Sequence, residues 1–246
     1  MSTWRAPVTD EPAGEARGAT WSQASGPAAR GARAAGRAND LIGAEGRDPI
    51  RSAWRWAGVF AIVLLGLSGL VGIGVVRPID DRALEAVQSV ACYPLDLAAS
   101  LIGVVGQTEV TAPIAVILAF FWWRRRGLRG LVPLLLFAGV AIEVVLKHVV
   151  PQPSPPPDLS RSLHLLPFLK AASPYSFPSG HVLRTTFLAA LIADRTVFWA
   201  VVVAMSLSRV YLAEHWTSDV IGGLLVGLMV SGVAAAIYGG GSRARR

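Results

Sequence analysis

Long apolar runs separated by short polar interruptions occupy the chain from residue 54 to residue 238. A helix of about 20 apolar residues is long enough to cross a hydrocarbon core of about 30 Å. The pattern therefore predicts an all-α, polytopic membrane protein with six transmembrane helices. We place the helices at about residues 54–76, 106–123, 131–150, 181–194, 197–213 and 220–238. A polar, half-amphipathic stretch that includes DDRALEAVQSV separates the first helix from the second, and we expect a loop there.

The amino-terminal segment has a different character from the rest of the chain. Residues 1–50 are rich in Ala, Gly, Pro, Ser and Arg and show no apolar periodicity. Such a segment cannot bury enough apolar surface to offset the entropy lost on ordering. We expect a disordered cytoplasmic tail over residues 1–50, a membrane domain over residues 51–239, and a short basic cytoplasmic tail over residues 240–246.

The composition supports a membrane location and restricts the site chemistry. Charged residues make up 16% of the 246 residues and hydrophobic residues 53%, whereas soluble domains carry about 25% charged residues. The net charge of +7 comes from arginines that flank the apolar runs, which indicates topology determinants and no nucleic-acid partner. Cys92 is the only cysteine, so neither an internal disulfide nor a thiolate metal cluster can form.

The basic residues also predict the orientation of the helices. Arginines cluster at 51–55, 124–129, 195 and 243–246, which are alternate ends of the predicted helices. The positive-inside rule then places both termini in the cytoplasm, and loops 77–105, 150–180 and 214–219 on the extracytoplasmic side. Only two of the 23 basic residues are lysines, a bias typical of a GC-rich bacterial genome. We therefore expect a multi-pass protein of a bacterial cell membrane.

Polar side chains with an obvious joint use converge on that outer face. They are Lys147, Ser179, His181, Arg209, His215 and Asp219. Ionisable groups at membrane depth are costly and usually mark a function. The cations and the serine could bind a phosphate, one histidine could attack phosphorus, and the other could protonate the leaving oxygen.

The local spacing of these residues fits such a site. Asp219 follows His215 by four residues, so one helical turn could let it accept the imidazole proton. Gly180 allows the backbone to approach an anion closely. His181 opens a predicted helix, whose first backbone N–H groups would point at the same pocket.

Two sequence motifs resemble a known family. Residues 208–219 read S-R-x5-H-x3-D and residues 178–181 read P-S-G-H, and both are similar to signatures of the type 2 phosphatidic acid phosphatase (PAP2) family. That family shares its catalytic core with vanadium haloperoxidases, and the resemblance covers about residues 54–238. It implies a six-helix PAP2-like bundle that needs no metal or other cofactor.

The resemblance also implies individual roles. His215 would be the nucleophile that forms a phosphohistidine, and Asp219 would orient it. His181 would be the general acid for the departing group. The phosphoryl oxygens would be held by Lys147, Ser179, Gly180 and Arg209.

The chain departs from the family at one position. The first family motif reads K-x6-R-P, but here Lys147 is followed by Ser154 and Pro155. A hydroxyl provides neither the permanent charge nor the bidentate fork of a guanidinium. Arg184, one helical turn after His181, is the best substitute, and Arg161 is the second. Alternatively, Arg184 forms a salt bridge with an acid on a neighbouring helix, and Glu143 is a candidate partner for Arg184 or Lys147.

The motifs predict an enzyme that acts on lipids. We expect a metal-independent phosphoric monoester or diphosphate hydrolase at the extracytoplasmic face. Its partners would be membrane lipids and a lipid substrate such as a polyprenyl pyrophosphate, phosphatidic acid or phosphatidylglycerol phosphate. Two alternatives stay open: a lipid-linked phosphotransferase, and a catalytically weakened protein that binds or transports lipid phosphates. The sequence does not choose an oligomeric state.

Overall fold

The computed structural model describes residues 49–163, 165 and 174–239. The expected tails therefore lie outside the described residues, apart from residues 49 and 50. Those two residues already belong to the first helix.

Helices make up the regular structure of the described residues, as the apolar pattern predicts, and none of these residues forms a β-strand. The α-helices are α1 (Pro49–Gly72), α2 (Arg77–Gln88), α3 (Tyr93–Val105), α4 (Thr108–Arg126), α5 (Leu135–Val149), α6 (Gly180–Ile192), α7 (Arg195–Tyr211) and α8 (Thr217–Gly239). Two 3₁₀ helices, Gly127–Leu134 and Pro157–Leu159, complete the set.

The expected loop over residues 77–105 was wrong, because this segment contains α2 and α3. Both helices have a proline in their first turn, Pro78 and Pro94, where the missing N–H costs nothing. Helix α2 is polar overall, but it buries Asp80 and Leu84. A polar sequence with one buried face is an amphipathic helix, and its polarity alone had suggested a loop.

The predicted helix over residues 131–150 is also divided. Gly127 ends α4 with a φ of 61°, a conformation that favours glycine. The following residues up to Leu134 form a 3₁₀ helix that contains Pro133, which lacks the N–H that an α-helix would use. Only from Leu135 onward does an α-helix run to Val149.

Three stretches are long and apolar enough to cross a membrane, by length and composition. They are Pro49–Gly72, the interrupted stretch Tyr93–Val149, and Thr217–Gly239. Helix α6 is apolar but has only 13 residues, a length of about 20 Å. The apolar helices indicate a membrane-associated protein, and the number of six spans stays a prediction.

Helix α6 lies at the centre of the bundle, against α4, α5, α7 and α8. Its residues from Val182 to Ala189 are all buried. They include Arg184, Thr185 and Thr186, so the buried face is not purely apolar. A helix that is enclosed on all sides positions its first residues rigidly, and these residues are Gly180 and His181.

Helices α6 and α8 approach each other at two glycines. A Cβ atom on Gly223 would overlap the carbonyl oxygen of Ser179, and one on Gly227 would lie 2.9 Å from the carbonyl oxygen of Leu183. Small residues four apart let two helix backbones come this close. The contact holds the start of α6 against the start of α8.

We predict that Gly227→Ala lowers the thermal stability of the protein in detergent. The added methyl would lie 2.7 Å from Thr186 Cβ. Overpacking of this kind costs about 1–3 kcal/mol. Gly66→Ala in α1 is the matched control, because Gly66 has no atom within 4 Å of the added Cβ. Equal melting temperatures for the two variants, followed by circular dichroism, would contradict the close packing of α6 and α8.

Candidate active site

The ends of four helices meet at one place. Lys147 lies in the last turn of α5 and Arg209 in the last turn of α7, while α6 and α8 contribute their first turns. His181 lies close enough to interact electrostatically with Arg209, Arg184, His215 and Lys147. Lys147 in turn interacts with Asp219. The structure thus brings together residues that are up to 72 positions apart in the sequence.

His215 and Asp219 form a hydrogen-bonded pair. His215 Nδ1 lies 3.3 Å from Asp219 Oδ2, and the Asp219 side chain is fully buried. The same oxygen accepts a hydrogen bond from the backbone N–H of Trp216 at 2.9 Å. Asp219 is the third residue of α8, and its carboxylate reaches back to the N–H of the residue before the helix, as the N3 side chain of a capping box does. In the tautomer that donates Nδ1–H to Asp219, His215 Nε2 keeps its lone pair.

Arg209 is held between α7 and α3. It is buried, and its Nη2 donates to the carbonyl oxygen of Ala99 at 3.4 Å. Its guanidinium lies against Gly103, where a Cβ atom would overlap it. The carbonyl oxygen of Arg209 also accepts hydrogen bonds from the N–H groups of Glu214 and His215, at 3.1 and 3.2 Å. Arg209 and His215 are therefore fixed relative to each other by the turn between them.

Ser179 and His181 present polar atoms that no described residue satisfies. Ser179 Oγ and His181 Nε2 are both buried and have no hydrogen-bond partner there. Ser179 stands at the N-cap of α6 but does not cap it with its side chain, which is the usual role of a serine at that position. Its backbone N–H donates to the carbonyl oxygen of Asp219 at 2.9 Å. Buried polar atoms without partners need an explanation, and a polar ligand would provide one.

Lys147 and Arg184 share one carboxylate. Glu143 Oε2 lies 3.2 Å from Arg184 Nη1, and Glu143 Oε1 lies 3.8 Å from Lys147 Nζ. Arg184 Nε also donates to the carbonyl oxygen of Gly106 at 3.1 Å. The Glu143 carboxylate lies against Gly180, where a Cβ atom would overlap it. The ion pair considered for Arg184 is therefore present, with the same arginine close to His181.

Arg161, the second candidate substitute, is engaged elsewhere. It donates to both carboxylate oxygens of Asp96, at 2.7 and 2.8 Å. These hydrogen bonds raise the pKa of Arg161 above its ordinary value. Ser154, which replaces the family arginine, is exposed. Arg184 is therefore the better placed of the two candidates.

Helices α2 and α3 contribute residues that the motifs did not indicate. Ala99, Gly103 and Gly106 of the α3 segment contact Arg209, His181 or Arg184, and Asp80 of α2 contacts the start of α8. The sequence signal for these contacts was the pair of glycines at the end of α3, because another side chain can approach a helix closely only at a small residue. Among the described residues, no group of three His, Cys, Asp or Glu side chains could hold a metal ion.

Residues 128–241 match the family model of the PAP2 superfamily. This range contains all the site residues that the motifs predicted, from Lys147 to Asp219. The resemblance to the type 2 phosphatidic acid phosphatases is therefore confirmed over this region.

Two curated relatives match part of the chain. The decaprenylphosphoryl-5-phosphoribose phosphatase of Mycobacterium tuberculosis is 33% identical over 114 residues, which are 45% of this chain and 61% of the relative. The undecaprenyl-diphosphatase of Sulfolobus acidocaldarius is 30% identical over 139 residues, which are 54% of this chain and 65% of the relative. The chain thus spans a little under two thirds of the length of each relative.

The fold also resembles a solved structure. The PAP2-type phosphatidylglycerolphosphate phosphatase of Bacillus subtilis superposes with a TM-score of 0.61 at 21% sequence identity. The superposition covers 77% of this chain and 97% of that protein. At this identity the likeness establishes a shared fold.

We predict that Gly103→Leu weakens the binding of orthovanadate, which mimics a five-coordinate phosphoryl group. The leucine would displace the Arg209 guanidinium from its place against α3. Loss of a charge-assisted donor should raise the dissociation constant by about 10-fold or more. Ala98→Leu is the matched control, because Ala98 is exposed on the same helix. Equal binding by the two variants in isothermal titration calorimetry would show that Gly103 does not position Arg209.

Proposed function

We propose that the protein is a membrane lipid phosphatase that hydrolyses a lipid phosphate or pyrophosphate through a phosphohistidine on His215. The observation that carries the proposal is the hydrogen bond between His215 and the buried Asp219, beside the cations Arg209, Lys147 and Arg184. A nucleophile oriented by a carboxylate, next to buried positive charge, suits attack on a phosphoryl group.

In the first step, His215 Nε2 attacks phosphorus and the bond from phosphorus to the leaving oxygen breaks. The imidazole gains positive charge, which Asp219 stabilises through Nδ1–H. His181 begins this step as an imidazolium and gives its Nε2 proton to the leaving oxygen; Nε2 is buried and has no partner among the described residues. The product of this step is a phosphohistidine and a free lipid alcohol or lipid phosphate.

In the second step, a water molecule attacks the phosphohistidine. His181 Nε2, deprotonated by the first step, takes the proton of the attacking water. The phosphorus–nitrogen bond breaks, inorganic phosphate leaves, and His215 regains its lone pair. Both histidines end the cycle in their starting protonation states.

The negative charge of the phosphoryl oxygens has several partners in this proposal. Arg209 and Lys147 provide positive charge, and the Ser179 hydroxyl provides a donor that is not used to cap α6. The first N–H groups of α6, at Gly180 and His181, lack intrahelical partners and favour an anion. Such preorganised donors stabilise charge more strongly in a dry site than in water.

Arg184 takes the place of the family arginine in this proposal. Hydrogen bonds hold its Nε to Gly106 and its Nη1 to Glu143, and we assign Nη2 to the phosphate. The positive charge that the family arginine supplies would thus come from the buried face of α6, because position 154 carries an exposed serine in this chain. Glu143 would fix the guanidinium while leaving one edge for the substrate.

The location and the substrate class are parts of the same proposal. The arginine distribution favours an extracytoplasmic site with both termini in the cytoplasm. The names of the two curated relatives refer to decaprenyl and undecaprenyl compounds, which favours a polyprenyl-linked phosphate or pyrophosphate over phosphatidic acid.

We expect purified protein in detergent to release phosphate from a polyprenyl pyrophosphate in the presence of EDTA. His215→Ala should abolish the release, by roughly 10⁴-fold or more, because the nucleophile is lost. His148→Ala is the control, since His148 is exposed and hydrogen-bonds only within α5 among the described residues. Phosphatidic acid serves as the competing substrate and should be hydrolysed more slowly.

Loss of activity in EDTA that added metal restores would contradict the metal-independent mechanism. Full activity of His215→Ala would contradict the assignment of the nucleophile. Transfer of phosphate to an added alcohol or sugar, with no free phosphate, would favour the phosphotransferase alternative.

We also predict that Arg184→Ala lowers kcat/KM by roughly 10²-fold, as the loss of one preorganised donor typically does. The substitution leaves Glu143 without its closest cation, so stability has to be separated from activity. Arg184→Ala/Glu143→Gln should recover the melting temperature but not the activity, and adding Ser154→Arg should recover part of the activity. Wild-type activity of the double variant would show that Arg184 serves only as the partner of Glu143.

A further inference from the structure

Helix α2 is attached to the start of α8 by one buried carboxylate. Asp80 has an exposed fraction of 2%. Its Oδ1 accepts from the backbone N–H of Ser218 at 2.8 Å, and its Oδ2 accepts from Ser218 Oγ at 2.6 Å. Burial raises the pKa of the Asp80 carboxyl, and the hydrogen bonds from Ser218 act in the opposite direction. The two residues are 138 positions apart in the sequence.

Two carboxylates thus cap the first turn of α8. Asp219 accepts from the N–H of Trp216, and Asp80 accepts from the N–H of Ser218. The N–H groups of a first turn have no intrahelical partner, so these bonds fix the turn in place. Asp219, which contacts His215, belongs to the same turn. The position of Asp80 is therefore coupled to the orientation of the imidazole.

Further contacts hold the same turn from the side of α2 and from the loop before α6. Arg77, also in α2, stacks over the Trp216 ring with its guanidinium carbon 4.0 Å from the ring centroid. The Trp216 indole N–H donates to the carbonyl oxygen of Pro153 at 2.8 Å. Gln152 Nε2 donates to Ser218 Oγ at 2.9 Å. Ser218 is therefore held on two sides, with Asp80 accepting both of its protons.

We infer that Asp80 is a positioning residue for the His215 nucleophile and acts through Ser218 and Asp219. The inference rests on the proposed function, because it concerns the step in which His215 attacks phosphorus. Helix α2 lies outside the range 128–241 that matches the PAP2 model, so this support comes from a part of the chain that the match does not cover. Within the described residues, Asp80 interacts with Arg77 of its own helix and with Ser218 and Asp219 at the start of α8, and not with Lys147, Arg184 or Arg209. Its loss should therefore slow the chemical step more than it weakens substrate binding.

The test compares wild-type protein with three variants of the full chain, in detergent with a polyprenyl pyrophosphate as substrate. A displacement of about 1 Å in a reacting group can cost roughly 10²-fold in rate. We expect Asp80→Ala to lower kcat by about 10- to 100-fold with KM within about threefold of wild type. Asp80→Asn keeps an oxygen for the Ser218 N–H and should stay within about threefold of wild-type kcat. Glu85→Ala is the matched control, because it removes an exposed carboxylate from the same helix and should change neither parameter.

A double-mutant cycle with Asp219→Asn separates positioning from a general loss of structure. If Asp80 acts through Asp219, then Asp80→Ala should cost less than about threefold in the Asp219→Asn background, because coupled residues are not additive. Ser218→Ala removes one of the two hydrogen bonds to Asp80 and should lower kcat by about 3- to 10-fold. This variant takes the place of Asp80→Ala in the test if Asp80→Ala does not fold.

The outcomes distinguish the inference from the proposed function. Active wild-type protein with equal kcat for Asp80→Ala and Glu85→Ala would overturn the inference alone. A rise in KM without a fall in kcat, or fully additive losses in the cycle, would also overturn it. Inactive wild-type protein would overturn the proposed function, and the inference with it.

Discussion

Glu143 lies between two cations, Arg184 and Lys147, inside a bundle of mostly apolar helices. Taking a charge out of water costs several kcal/mol unless partners replace the lost hydration. Asp219 adds a second negative charge beside Lys147, and Arg209 adds a third cation next to His181. An anion with several negative oxygens would complete the compensation. The cations of the site thus suit the anionic substrate that we propose for it.

The second constraint is the distance between α6 and α8. Glycines at the contact let the Ser179 backbone reach the start of α8, where its N–H bonds the carbonyl oxygen of Asp219. The same contact sets the distance between the His181 segment and the His215–Asp219 pair. Apolar packing below it, around Phe187 and Val226, keeps the two helices from moving apart. The chemistry of the site therefore depends on packing that contains no reacting group.

Much of this arrangement could be predicted from the sequence. The two motifs and the apolar runs indicated an all-α protein and the residues that meet at the site, because each motif lies at the end of an apolar helix. Helices α2 and α3 were missed, and for α2 the cause was its polar sequence. Both are defined by which face they bury, and that depends on the tertiary structure. For the same reason the contact of Asp80 with Ser218 could not be predicted from their positions.

Arg184 shows the limit of arguments from spacing. Its place one turn after His181 was visible in the sequence, and so was Glu143 as a candidate partner. Spacing could not decide between a phosphate ligand and an ion pair. The structure shows the ion pair and leaves one edge of the guanidinium for a second role. Both roles fit the same side chain, because a guanidinium donates in more than one direction.

The central claim is that His215 becomes phosphorylated during turnover, and rapid quenching tests it most directly. Protein would be mixed with a ³²P-labelled polyprenyl pyrophosphate, quenched in alkali within milliseconds, digested and analysed by mass spectrometry. We expect an acid-labile phosphoryl group on the peptide that contains His215, formed and lost at rates consistent with kcat. A label on another residue, or turnover with no covalent label at any quench time, would contradict the account.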